Sequence, residues 1–266
     1  MIAPALDHVG VVSSDLAALA ATYERLGFTL TPLSRHSDGR IANRCAMLQG
    51  AYIELLAVAG PNVRSVTLER FLSRYAGVHL LAFAVADEQA ALGRLHRAGI
   101  EPASITRFTR KIDDADQSGP EAAFALIQTP EQPEGRFNLV RHLTPSVLWQ
   151  ERFMRHANNA LTLEEVSIAV ATPADAAARL SRLAGCVVVP DSLDGFALEL
   201  GRGCVRLLPA KTGMVPRVTR LTLRTSDRNA VMARLVDERK IAAGDDGGAI
   251  LVEAAAAGGV EIRFIP

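Results

Sequence analysis

Two polar residues interrupt strands that are otherwise apolar, and chemistry is most easily placed there. His8 lies in Leu6-Asp7-His8-Val9-Gly10-Val11-Val12, and Glu54 lies in Tyr52-Ile53-Glu54-Leu55-Leu56. A carboxylate among apolar neighbours is costly to bury alone, so a metal ion, a histidine or an arginine should stand beside Glu54. A lone strand histidine is more often structural than functional, but a carboxylate at a matching place favours a ligand or substrate contact for His8. Asn43 and Arg44, in Arg40-Ile41-Ala42-Asn43-Arg44, either face the same site or finish a sheet edge. His79, Trp149 and His156 read as packing residues, and His142 suits either role.

The elements that must carry these residues repeat along the chain. A β-branched run over 8–13 ends at Ser13-Ser14-Asp15, a helix N-cap cluster. Leu16, Leu19, Ala20, Tyr23 and Leu26 then recur at helical spacing, and Gly27 is placed to stop the helix. An extended piece over 29–35, a polar turn at 36–39 and strands over 41–48 and 52–58 complete a β-α-β-β-β unit. The second unit has a strand over 79–85, a cap at Asp87 and a helix over 90–98. A hydrophilic stretch over 107–119 follows, which reads as a mobile loop, and then closing strands over 124–128 and 137–142. The third and fourth units open at 166–171 and 218–224, with caps at Thr172-Pro173 and Ser226-Asp227, and close at 204–208 and 260–264. Residues 144–160 break the pattern, hold the only tryptophan and read as a bridge.

Units of about 50 to 75 residues cannot each bury both faces of a sheet, so they should pair. The predicted class is α+β: four βαβββ modules paired into two cupped mixed β-sheets with helices on the outside. Residues 1–143 would form a first domain from modules one and two, 144–160 the bridge, and 161–266 a second, degenerate domain from modules three and four. Short connections favour neighbours in space. The rival arrangement pairs module one with module four and brings Glu261 to His8 and Glu54.

Composition narrows the function. With 266 residues, 49% of them apolar, there is room for two domains with sizeable cores. Zero formal net charge and a pI near 7.0 argue against nucleic acid or an anionic membrane as partner. No uncharged apolar run reaches the roughly 18 residues of a membrane span, and the expectation is a cytoplasmic protein. Cys45, Cys186 and Cys204 are an odd set without Cys-x-x-Cys spacing, which supports neither a disulfide framework nor a thiolate zinc site.

The repeated β-α-β-β-β unit, the opening Leu-Asp-His-Val-Gly-Val, the Leu26-Gly27-Phe28 stop and the closing Tyr-Ile-Glu-Leu-Leu resemble the vicinal oxygen chelate superfamily. That group includes glyoxalase I, extradiol dioxygenases and fosfomycin-resistance proteins. The stretch 40–44, together with His142-Leu-Thr-Pro-Ser-Val-Leu-Trp149, is similar to its glyoxalase-like domain branch. The resemblance implies metal ligands on the first and last strand of each module, projecting into a cup where a divalent ion chelates two substrate oxygens. Carried over, His8 and Glu54 match the first module's ligands. In the second module Leu80 stands at the first-strand position and Asn138 near the last-strand position. His142, four residues on in the same strand phase, is the better third ligand. Val166 and Thr219 or Arg220 match in the other half, where Arg206 and Glu261 form a buried ion pair or nothing.

Two functions follow. In the first, Mn, Fe, Ni or Zn is held weakly by His8, Glu54 and His142. Asn43, Arg44 and Asn138 contact substrate, and Glu54 with His8 carries out a lyase, isomerase or oxygenase reaction on a small oxygenated metabolite. In the second, the same cup is a metal-free binding or sequestration site for a small molecule. Oligomeric state is open, a homodimer included.

Overall fold

The computed structural model describes residues 4–36, 38–101, 104–113, 115, 116, 118–238, 241 and 243–266. The first module runs β1 (Ala5–Val12), α1 (Leu16–Arg25), β2 (Ser34–Arg35), β3 (Ile41–Leu48) and β4 (Ala51–Val58). After α2 (Val66–Leu72), the second runs β5 (Gly77–Ala84), α3 (Glu88–Arg97), β6 (Ile105–Lys111), β7 (Glu121–Gln128) and β8 (Arg136–His142). Two short helices, α4 (Pro145–Leu148) and α5 (Glu151–Met154), follow. The third module is β9 (Ala160–Val170), α6 (Pro173–Ala184), β10 (Val187–Asp191), β11 (Gly195–Glu199) and β12 (Cys204–Pro209). The fourth is β13 (Arg217–Thr225), α7 (Arg228–Met232), β14 (Ala243–Asp246), β15 (Ala249–Val252) and β16 (Glu261–Ile265).

The same local signals start each helix. Asp15, Asp87 and Asp227 are extended N-cap residues whose carboxylates accept from backbone N–H groups of the first turn. At the third module Pro173 begins the helix instead, where its missing N–H costs nothing.

Modules one and two form one eight-stranded sheet, ordered β2-β3-β4-β1-β5-β8-β7-β6. Modules three and four form the other, ordered β10-β11-β12-β9-β13-β16-β15-β14. This is the α+β fold of paired cups expected from the repeats. Glu261 therefore lies in the second sheet, where it pairs with Arg220 at 2.9 Å. Arg206 does not pair with Glu261; it lies between Glu165 and Asp191 at 3.2 and 3.1 Å. The stretch read as a loop from 107 onward is in fact a strand to Lys111, because β6 finds a full antiparallel partner in β7.

The sheets differ in closure. In the first, edge strand β2 meets edge strand β6: Ser34 Oγ donates to the Lys111 carbonyl at 2.6 Å, and Arg110 reaches back to Ser34 at 3.3 Å. The sheet curls into a near-barrel. The bridge helices α4 and α5 pack into it, placing Leu148 and Phe153 against Met47, Tyr52, Phe124 and Val140. Trp149 Nε1 donates to the Leu48 carbonyl at 2.9 Å. His156 spans the bridge and the first module, donating to the Met47 carbonyl and accepting from the Thr29 amide.

One core runs from the first sheet through the helices to the second. Backbone contacts add to it: Leu6 N–H donates to the Arg202 carbonyl at 3.0 Å, and Gln49 N–H to Leu161 at 2.8 Å. A close approach between the two halves lies at Gly259, whose φ is +94° and where an added Cβ would sit 2.3 Å from the Ala76 carbonyl oxygen. Gly213, at φ +81°, has nothing within 4 Å of the same position. Gly213→Ala should therefore cost only the left-handed strain, about 1 kcal/mol, whereas Gly259→Ala should cost about 3 kcal/mol or more through the backbone collision. Denaturant unfolding of both variants checks this, and equal costs would contradict it.

Candidate functional site

The near-barrel, with α2, encloses a cavity of about 290 Å³. Much of its wall is apolar, with Leu68, Phe71, Leu80, Phe108, Phe124 and Val140 contributing. His8 and Glu54 both face it from the neighbouring parallel strands β1 and β4. The two residues singled out by type and position are thus brought to one cavity.

Glu54 is only 6% exposed. Its Oε1 accepts from Asn43 Nδ2 at 2.5 Å and lies 3.6 Å from His36 Nε2. Asn43, fully buried on β3, in turn accepts from Arg110 Nη1 at 3.0 Å. A chain thus runs from the Arg110 guanidinium through the Asn43 amide to the carboxylate. Burial alone would raise the Glu54 pKa, but His36, then His8 and Arg110, overcome it and hold the carboxyl well below the usual carboxylate range. The arginine or histidine that a buried strand carboxylate requires is present as both.

His8 is set from behind. Its Nδ1 donates to Asp7 Oδ1 at 2.6 Å, and its ring stacks on Tyr52 at 4.5 Å between centroids. Neighbouring strand residues normally point to opposite faces. The β1–β5 register shifts between Leu6 and His8, and this irregularity lets Asp7 and His8 meet. Asp7 also accepts from His142 Nε2 at 2.9 Å. Burial opposes its charge, but the bonds from His142 and His8 outweigh that and keep its pKa low. With Nδ1 engaged, Nε2 is the remaining ring nitrogen of His8, the arrangement by which a carboxylate fixes the tautomer of a catalytic imidazole.

The other candidates divide. Asn138 lines the cavity, and Asn43 supports Glu54. Arg44 does neither: it donates to the Thr31 carbonyl and to Glu24, tying β3 to α1. His142 is turned to Asp7, whose Oδ1 also accepts from His8, and it is not among the residues lining the cavity with Glu54, so it does not complete a ligand set with that carboxylate. Asp7, His36 and Arg110 were missed. Asp7 was hidden by the irregularity in β1, His36 by its place in a turn, and Arg110 by the reading of β6 as a loop.

The donor set does not fit a chelated metal. Of the four strand positions, β5 offers Leu80 and β8 an amide, Oε1 of Glu54 is engaged by Asn43 and His36, and Arg110 supplies the compensating charge. Among the described residues no group of three or more His, Cys, Asp or Glu side chains is placed to share an ion.

This architecture of paired βαβββ cups places the chain among α+β proteins built on the vicinal oxygen chelate plan. A family model described as the glyoxalase-like domain matches residues 6–184, and the chain belongs to that family. No curated protein matches significantly. Among solved structures, a hypothetical protein from Staphylococcus aureus is 12% identical, with 99% of each chain covered and a TM-score of 0.74. A mutant 4-hydroxymandelate synthase from Streptomyces coelicolor is 13% identical over 99% of this chain and 92% of its own, with a TM-score of 0.64. Catechol 2,3-dioxygenase is 13% identical over 100% and 90%, with a TM-score of 0.65. At these identities the likeness is one of fold.

Behind Phe71, which lines the cavity, a buried histidine has its own titration. His79 stacks between Phe71 at 4.8 Å and Tyr75 at 3.9 Å, and burial pushes its pKa down to about 4 against a bond to the Tyr75 carbonyl. The unfolded chain takes up this proton near 6.5, so stability should fall as pH drops from there and level off near 4. The loss should be about 3 kcal/mol. His79→Phe, which keeps the stack, should flatten that segment of the stability curve in denaturant unfolding at several pH values. An unchanged curve would contradict the assignment.

Proposed function

We propose that the first cup is a small-molecule site in which His8, fixed by Asp7, moves a proton on a small oxygenated, partly apolar ligand. The activity would be an isomerase- or lyase-type proton transfer next to a carbonyl. The observation that carries this reading is the 2.6 Å bond from His8 to Asp7, with the same ring facing an apolar-walled cavity that Glu54 lines from the neighbouring strand.

The choice of base follows from electrostatics. A general base works best with a pKa near the working pH. Glu54 is held strongly ionised by its partners, which makes it a weak base. Its role is to hold the buried Arg110 guanidinium, by its charge and through Asn43, at the cavity wall, where it favours negative charge developing on a ligand oxygen. Tyr52 keeps its proton, because burial, with the nearby Asp7 and Glu54 charges, raises its pKa well above the ordinary value.

The test uses phenylacetaldehyde, an aryl compound with an exchangeable C–H beside its carbonyl, and follows deuterium incorporation from heavy water by NMR after chelator dialysis. Wild-type protein should accelerate exchange without added metal. His8→Ala should lose roughly 100-fold or more of that acceleration. Asp7→Asn, which leaves the imidazole in place but frees its tautomer, should lose at least about tenfold. Exchange that appears only with added divalent metal would overturn this reading in favour of the chelate enzyme. Binding of the probe without exchange would favour the sequestration role.

A further inference from the structure

Away from Glu54, the cavity carries a second polar pole that the proton-transfer reading does not use. It lies on β8, where Arg136 and Asn138 alternate on the cavity face, with Gln128 opposite Asn138 on β7. In the strand order, β8 is three positions from β4, so the poles are separated by roughly 14 Å along the sheet, at about 4.8 Å per strand. Leu80, paired with Arg136, and the rings of Phe71, Phe108 and Phe124 lie on the wall with them.

The charge at this pole is poorly matched. The acidic neighbour of Arg136 is Glu131, 3.8 Å away, and Glu131 is held more closely by Arg70. The Arg136 guanidinium lies over Phe71, 5.7 Å from the ring centroid, which keeps it at the cavity wall. Burial, together with the charge of Arg70, disfavours its protonated form, so an added anion would be stabilising. Asn138 is only 3% exposed, and its Oδ1 is buried without a partner. A buried amide oxygen left unpaired is costly, and a ligand donor would remove that cost.

We infer that Arg136 and Asn138 form a carboxylate subsite, and that the ligand of the cup is a small aryl carboxylic acid. Its carboxylate meets the Arg136 fork, its ring lies against Phe71, Phe108 and Phe124, and its oxygenated end points toward His8. A planar carboxylate suits a guanidinium because two parallel N–H donors meet two oxygens. A hydroxyl or amine near that carboxylate would donate to Asn138 Oδ1. This inference rests on the cup being a ligand site, and names the class of ligand it takes.

The test compares phenylacetate with its neutral counterpart phenylacetamide by calorimetric titration. Wild-type protein should bind phenylacetate at least about tenfold more tightly than the amide. Arg136→Gln should erase that preference, with phenylacetate losing at least about tenfold more affinity than the amide. Arg136→Met, which keeps an apolar stem over Phe71, repeats the test should the glutamine variant fail to fold. Equal binding of the two probes by wild-type protein, or a preference that survives both substitutions, would overturn the carboxylate subsite and leave the cup reading intact. Failure of both probes to bind wild-type protein at millimolar concentration would overturn both.

Discussion

The first half of this protein is arranged around one buried negative charge. Glu54 sits on a central strand of a curled sheet, with almost no access to water. An unpaired carboxylate there would be prohibitive, so the surroundings must supply donors and positive charge. They come from three separate segments: Asn43 from β3, His36 from the turn before it, and Arg110 from β6 at the far edge of the sheet. Arg110 is also bonded to Ser34, which joins β2 to β6. The residue that compensates Glu54 is therefore the one that helps close the barrel, and site and closure depend on each other.

The second sheet shows the contrast. It has the same strand order, yet its charges pair locally: Arg206 with Glu165 and Asp191, Arg220 with Glu261, Arg263 with Asp246. Most of these side chains are partly exposed, where ion pairs contribute about 0 to 1 kcal/mol each. Such a face is stable when open. The first sheet has a deeply buried charge instead, and it curls around it while the bridge helices pack against Met47, Tyr52, Phe124 and Val140.

Much of the fold was legible because its signals are local. Aspartates at 15, 87 and 227 cap helices as their positions suggest, and the alternating apolar strands fall close to where the sequence places them. Gly50, Gly135, Gly203 and Gly258, which precede the closing strands of the four modules, all take positive φ. His8 and Glu54 stood out because each is a polar residue on an apolar strand. What remained hidden depends on distant segments or on departures from strand period. A regular strand would turn Asp7 away from His8, and the irregularity in β1 brings the two together. Arg110 lay in a hydrophilic run whose strand character comes from pairing with β7 rather than from its own residues. Arg44 and His142 had the right types and wrong partners, Glu24 for one and Asp7 for the other.

The ionised state of Glu54 is the claim on which the rest depends, and carbon NMR of the labelled side-chain carboxyl measures it directly. If Arg110, Asn43 and His36 hold the charge as described, the Glu54 signal should show no titration from neutral pH down to about pH 3, while exposed glutamates titrate near their ordinary value of about 4.5. A Glu54 signal that titrates with those exposed carboxylates, or above them, would contradict the account.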